Sequence, residues 1–393
     1  MKSIMTKLKY IGKVLIGYSL IFILPIIVGL IYHESVFEFI IPGILSLVLG
    51  LILNSIKTKD NGNIYARDGF FIVSLSWIII CLIGALTFYL HNDLNYIDAI
   101  FETVSGFTTT GATTFKHVEE IDKSVLFFRS LTHFIGGMGV LVFVMALVPL
   151  SRKDKSMHLL KAEMPGPTVA KLVPSIRKTL LYLLGIYFIL TFLEIIVLLI
   201  CKMPLYDSVV LSFGTAGTGG FSVLNDSLAS YTIGAKYTVA IFMLLFGVNF
   251  NIYFLAIMGH LKNALKSEEL RVYFGIYIFS ILFVFINTYH MFATIPESIL
   301  SSVFHVSSIM TSTGYSIGNV NIYPTSVRVL MMCLMLISAC AGSTCGGFKI
   351  SRLIICFKVI KIQEFEFLDS QTLIFLIPNF QEKFPMHNQM TAN

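Results

Sequence analysis

Three short stretches of this chain combine glycine, threonine and serine in a pattern suited to holding a bare cation. They read FETVSGFTTTGATTF at 101–115, VLSFGTAGTGGFSVL at 210–224 and FHVSSIMTSTGYSIGN at 304–319. Aligned on glycine, Gly111, Gly220 and Gly314 fall in register, each followed by an apolar residue and a hydroxyl: Ala112-Thr113, Phe221-Ser222 and Tyr315-Ser316. The first and third stretches also match upstream, at Phe101/Phe304, Ser105/Ser308, Thr108/Thr311 and Thr110/Thr313. A cation stripped of water inside a membrane loses hydration worth tens of kcal/mol, so oxygen ligands must replace that water. Consecutive backbone carbonyls can do so if the chain turns them toward one axis. Glycine allows this because it adopts positive φ without a steric penalty, and a preceding threonine adds a hydroxyl. Glu102 has no counterpart in the other two stretches, so a carbonyl cage fits better than a ring of carboxylates.

The elements that would position these loops are apolar helices. Of 393 residues, 56% are hydrophobic and only 13% charged, with a mean hydropathy of +0.82. That balance belongs to a chain solvated by lipid, because a soluble domain needs a charged surface. A span needs roughly 20 apolar residues, and candidates fall at 14–32, 36–56, 69–90, 125–150, 179–201, 234–258, 272–294 and 326–357. The expected fold is an all-α integral membrane protein of eight spans. The segments just before the three loops, 97–107, 204–214 and 296–309, are too short to cross. Lying between full spans, they predict re-entrant helices, since irregular backbone at membrane depth survives only when buried in protein or lining water. The three glycines are 109 and 94 residues apart, so one span–pore-loop–span unit recurs three times behind a two-span hairpin. The predicted divisions are 1–60 for the hairpin, 61–155, 156–262 and 263–362 for the units, and 363–393 for an atypical tail.

The net charge of +6 could suggest nucleic acid, but its placement excludes that reading. Lys and Arg gather in alternate loops: Lys2 to Lys13, Lys57 to Arg67, Arg152 to Lys178, Lys262 to Arg271 and Lys349 to Lys361. By the positive-inside rule both termini are cytoplasmic. The lysines before the first apolar run would also suit a signal peptide, against which the length of the run and the lack of a small-residue cleavage site argue. Cys81, Cys201, Cys333, Cys340, Cys345 and Cys356 lie in or beside apolar spans with no zinc or disulfide spacing, and read as small core residues.

Taken together, TVSGFTTTGATTF, RSLTHFIGGMGVLVF at 129–143, TGGFS, STGYSIGN and AGSTCGGFKISR at 341–352 resemble the Trk/Ktr/HKT superfamily of potassium transporters, in particular bacterial TrkH-type subunits. The resemblance covers about 1–362. It implies four pore units around one cation path, a homodimer, a cytosolic nucleotide-binding regulatory subunit, a cytoplasmic-membrane location, potassium as the transported ion and no organic cofactor. It makes Thr109, Thr110, Gly111, Thr218, Gly219, Gly220, Ser312, Thr313 and Gly314 the filter residues, with glycine at 111 favouring potassium over sodium. It also makes Gly342, Ser343, Thr344, Cys345, Gly346 and Gly347 an intramembrane gate; a flexible break or close helix packing is the alternative for that stretch.

A fourth glycine is expected near 408–423, whereas the tail from Glu364 holds no glycine and no filter loop. On that reading the last unit comes from another chain, or the product is truncated and acts only by association. Arg129 and His133 could line the pore or pair with Glu102, Asn249 and Asn251 could face the cavity or bond between helices, and Glu194 has no assigned partner. The basic, proline-containing loop 151–178 suits a topology signal, anionic lipid or the regulatory subunit. An enzyme is disfavoured: no HExxH or G-x-S-x-G occurs, and GTAGTGGFS lacks the lysine of a phosphate-binding loop. A secondary transporter built on inverted repeats is harder to exclude, but these repeats enter from one side.

Overall fold

Lipid-facing helices need no polar surface, and the long elements are apolar around much of their circumference. The computed structural model describes residues 2–56, 66–91, 94–147 and 176–361. The fold is all-helical. Five helices are long and apolar enough to cross a membrane, and a bent pair makes a sixth. Helices α1 (Lys2–Ile21) and α2 (Ile23–Tyr32) form one span, which is followed through residues 33–36 by α3 (Phe37–Asn54). Exposed Ile, Leu and Phe side chains such as Leu30, Ile31, Ile44 and Ile52 cover its outer surface. Inside the hairpin, α1 and α3 approach through glycine: a Cβ on Gly12 would come within 2.8 Å of the Gly50 carbonyl oxygen, and one on Gly50 within 2.9 Å of the Gly12 oxygen. Small residues at such a crossing let two backbones touch where apolar side chains gain nothing over lipid. Gly50→Leu is therefore expected to lower the thermal midpoint in detergent micelles, at a cost of about 1–3 kcal/mol.

Three helix–short-helix–helix units follow. In the first, α4 (Ala66–Leu90) and α6 (Lys123–Leu147) flank the short α5 (Tyr96–Phe107). In the second, α7 (Ile176–Ile200) precedes the short α8 (Leu205–Gly217), followed by α9 (Ile233–Phe246) and α10 (Phe250–Ile257). The third follows a short helix, α11 (Leu261–Leu265), and has α12 (Glu268–Thr288), the short α13 (Ile295–Met310) and α14 (Thr325–Leu336), then helix α15 at 350–361. Two of the three short helices begin where the sequence supplies side-chain caps: Asn95 accepts from the Asp98 amide, and Thr294 accepts from the Glu297 amide with proline in the first turn.

Two spans depart from the unbroken helices expected of apolar runs. The sixth, 234–258, bends by 89° between α9 and α10. Asn249 there caps α10, its Oδ1 accepting from the Asn251 amide at 3.0 Å. The eighth is interrupted over 337–349, a wider break than the small-residue stretch alone suggested. Cys81, Cys340 and Cys345 are buried as expected, but Cys333 and Cys356 are exposed on the apolar surface and are not core residues. The basic loop expected at 151–178 lies almost wholly outside the described residues, as does the tail 363–393.

Candidate functional site

Each short helix ends in a return segment with the same backbone signature. Thr109 and Gly111 have φ of 55° and 76°, Thr218 and Gly220 54° and 79°, and Ser312 and Gly314 55° and 89°. Thr110, Gly219 and Thr313 between them do not have positive φ. Alternation of hand turns successive peptide planes over, which lets neighbouring carbonyls face the same side. Three non-glycine residues held in the left-handed region cost of order 1–3 kcal/mol each, so the surroundings must enforce the shape. They do so by repeated bonds. The amides of Thr110, Gly219 and Thr313 donate to the Ser105, Gly214 and Ser308 carbonyls, each at 2.9 Å. Ser105 and Ser308 hydroxyls then reach forward to the Ala112 and Tyr315 carbonyls at 2.5 and 2.6 Å. Thr108 pairs with Thr110 at 2.8 Å, and Thr311 with Thr313 at 2.7 Å.

The segments also lie edge to edge in chain order. A Cβ on Gly111 would overlap the Gly219 carbonyl oxygen, and one on Gly220 would overlap that of Thr313. A Cβ on Gly314 meets nothing within 4 Å, so among the described residues the three segments form an open series. The third pins the second: Tyr315 donates its hydroxyl toward the Leu211 and Phe221 carbonyls, 3.0 and 3.1 Å away.

Arg129 and Glu102 meet, and neither is among the residues lining the cavity beneath the return segments. Both are almost fully buried, with Arg129 Nε 2.5 Å from Glu102 Oε1. Glu102 also accepts from the Thr114 amide at 3.0 Å and the Thr113 hydroxyl at 3.1 Å, beyond the first glycine. On the other side Arg129 Nη1 donates to the Ser222 carbonyl at 3.2 Å, and its guanidinium lies 3.5 Å from the Phe221 ring centre. His133 stacks on the same ring, with centroids 3.9 Å apart, and its ring blocks the space a Cβ on Gly219 would need. The pair is a strut between the first and second return segments. Sequence reasoning offered this pairing only as one option, because the partners lie 27 residues apart on different helices.

Beneath the segments is a cavity of about 480 Å³, lined by Thr108, Thr109, Gly137, Tyr187 and Phe250 on its walls. Residues Gly342 to Gly347 line it as well. The loop touches the return segments directly: the Gly346 amide donates to Ser312 Oγ at 3.0 Å, and the Thr218 hydroxyl lies 3.2 Å from the Thr344 carbonyl. It is also bonded into the bend between α9 and α10. Cys340 N–H donates to the Gly247 carbonyl and Phe250 N–H to the Gly342 carbonyl, both at 3.1 Å. Glu269 accepts from the Ala341 amide at 2.7 Å. The Lys349 ammonium donates to the Cys345 and Gly346 carbonyls, and Lys349 is the one charged residue among those lining the cavity. The loop's two ends are joined by a parallel bridge between Ile337 and Phe348.

The arrangement, helix by helix, is shared with known proteins. The TrkH family profile, described as cation transport protein, matches residues 35–383. This chain belongs to the TrkH cation transport family. It is 34% identical over 360 residues to the Trk system potassium uptake protein TrkH of Salmonella typhimurium, covering 89% of this chain and 74% of that protein. A cation transporter of Methanocaldococcus jannaschii is 31% identical over 362 residues, covering 91% and 73%. The crystal structure of the potassium transporter TrkH from Vibrio parahaemolyticus superposes with a TM-score of 0.82 at 26% identity, covering 93% of this chain and 76% of that one. Membership of the TrkH family makes this chain a multi-pass membrane transporter and not an enzyme.

Proposed function

We propose that this chain forms the potassium-conducting path of a Trk-type uptake system in the cytoplasmic membrane, with both termini cytoplasmic. The observation that carries this reading is the repetition of one left-handed signature at Thr109/Gly111, Thr218/Gly220 and Ser312/Gly314, in segments packed edge to edge above a cavity. Carbonyls of 109–111, 218–220 and 312–314 supply the oxygens that replace an ion's water, and the ends of the three short helices add partial negative charge. The pore units run 61–155, 156–262 and 263–362, behind the hairpin 1–60. Potassium is cargo, and no organic cofactor enters the cycle. The potassium uptake relatives support the choice of ion, and a homodimer with a cytosolic nucleotide-binding subunit is the assembly such a system would use.

Residues 342–347 are the gate in this reading, closed as they stand because they bond to Thr218 and Ser312. Lys349 fastens the loop by filling carbonyl positions that a passing ion would otherwise meet. Lys349→Met is expected to raise basal rubidium uptake several-fold, whereas Lys349→Arg retains the low basal rate. Equal rates in all three would remove Lys349 from the gate.

The decisive experiment is rubidium uptake into liposomes holding the purified chain, with Gly220→Asp as the control. Uptake abolished by Gly220→Asp supports conduction through these segments. A second reading is favoured by the open flank of Gly314: the chain supplies three oxygen-bearing segments and conducts only when associated with another chain. Absence of uptake from a folded, correctly inserted protein, restored by co-reconstitution with a full Trk-type subunit, would favour that reading.

A further inference from the structure

On the predicted outer face, three helices bring a histidine and two carboxylates together: Glu38 from the first turn of α3, His91 just past α4, and Asp122 just before α6. Their potential ligand atoms all lie within 4.8 Å of one another, the one such group among the described residues. His91 Nε2 is 3.2 Å from Asp122 Oδ2. Four ligands at about 2.0–2.1 Å around a tetrahedral zinc ion stand roughly 3.3 Å apart, so this edge already has the required length.

Glu38 is the second, independent observation. It is 3% exposed, and its Oε2 accepts from Ser35 Oγ at 2.6 Å. Its Oε1 is buried with no hydrogen-bond partner. A buried carboxylate oxygen without a partner is costly, and its surroundings normally supply a donor or a cation. Two nearby charged side chains, Lys123 and Glu34, are engaged elsewhere. Lys123 lies over the Tyr32 ring, 4.2 Å from its centre, and Glu34 accepts from the Lys123 and Ser124 amides at the start of α6. Capping by Glu34 also offsets the partial positive charge of that helix end, which would otherwise repel a metal.

We propose that Glu38, His91 and Asp122 form a divalent transition-metal site, with zinc the best match to one imidazole and two carboxylates and a fourth position left to water. The metal ties the N-terminal hairpin to both flanking helices of the first pore unit, so its role is to hold the hairpin in place. The site is independent of ion conduction and is tested by binding.

The full chain in lipid nanodiscs, stripped with a chelator, is titrated with Co²⁺, and the visible absorption of the bound ion is followed; Zn²⁺ is then added as competitor. The expected result is one Co²⁺ per chain, displaced by Zn²⁺, with affinity reduced at least about tenfold in each of Glu38→Gln, His91→Ala and Asp122→Asn. Zn²⁺ should raise the melting temperature of the parent chain and leave that of the variants unchanged. Because Asp122 is partly exposed, Asp122→Asn tests the site even if a change at buried Glu38 disturbs folding. If the parent chain binds no more Co²⁺ than the triple variant, or if His91→Ala binds as tightly as the parent, the proposal is overturned.

Discussion

Alanine at Gly111 or Gly220 is expected to abolish rubidium uptake, while alanine at Gly314 leaves a measurable fraction. The three glycines are equivalent in the sequence and share positive φ, so each substitution incurs left-handed strain of order 1 kcal/mol. They differ in what lies beside them. The new methyl group at 111 would overlap the Gly219 carbonyl oxygen, and at 220 that of Thr313, while at 314 it meets nothing within 4 Å among the described residues. Backbone carbonyls cannot swing aside as a flexible side chain can, so the first two changes must displace an oxygen that the proposed path uses. Uptake by reconstituted Gly111→Ala, Gly220→Ala and Gly314→Ala proteins, each normalised to folded protein, would separate the cases. Equal loss in all three would mean that strain alone decides and that the edge-to-edge packing is irrelevant.

The second large effect is expected at the buried ion pair. Glu102→Ala strands the Arg129 guanidinium among the Phe221 ring, the Ser222 carbonyl and a vacated acid site. Removing one partner of a buried pair costs about 3–5 kcal/mol, whereas replacing both by neutral groups of similar size is often tolerated. Glu102→Ala and Arg129→Met should therefore each lower the melting temperature sharply, and Glu102→Gln combined with Arg129→Met should recover much of the loss. The functional readout is separate. Since the pair joins Thr113 and Thr114 to Ser222, the double variant should fold yet discriminate less well between rubidium and sodium. A double variant with unchanged discrimination would show that the strut serves stability alone.

Much of this architecture was legible because it is periodic. The apolar runs placed the long helices, and the aligned glycines located three backbone segments with the same pair of positive φ values, 54–55° two residues before the glycine and 76–89° at it. The small residues at 341–347 marked the break in the last long element. What remained hidden depends on neighbours distant in sequence. Nothing in the local pattern distinguishes Gly314 from Gly111, since the difference lies in which carbonyl sits alongside. The bend at 247–249 had a signal that hydropathy overrides: Asn249, a favoured helix cap, stands inside an apolar run just after Gly247. Glu38, His91 and Asp122 are scattered over 84 residues and only the fold collects them.

The bridge between Ile337 and Phe348 gives the small-residue loop an unusual economy of motion. With its two ends joined, the loop is a closed flap, and if it acts as the proposed gate, Gly342 and Gly347, both at positive φ, are its natural hinges. Two hydrogen bonds hold the flap against the return segments, those between Gly346 and Ser312 and between Thr218 and Thr344. At a net worth of about 1 kcal/mol each, these two contribute roughly a 30-fold bias toward the return segments, to which the Lys349 bonds and the Phe250–Gly342 bond add. In the proposed gate, a partner would have to offset this set of bonds to favour the released loop.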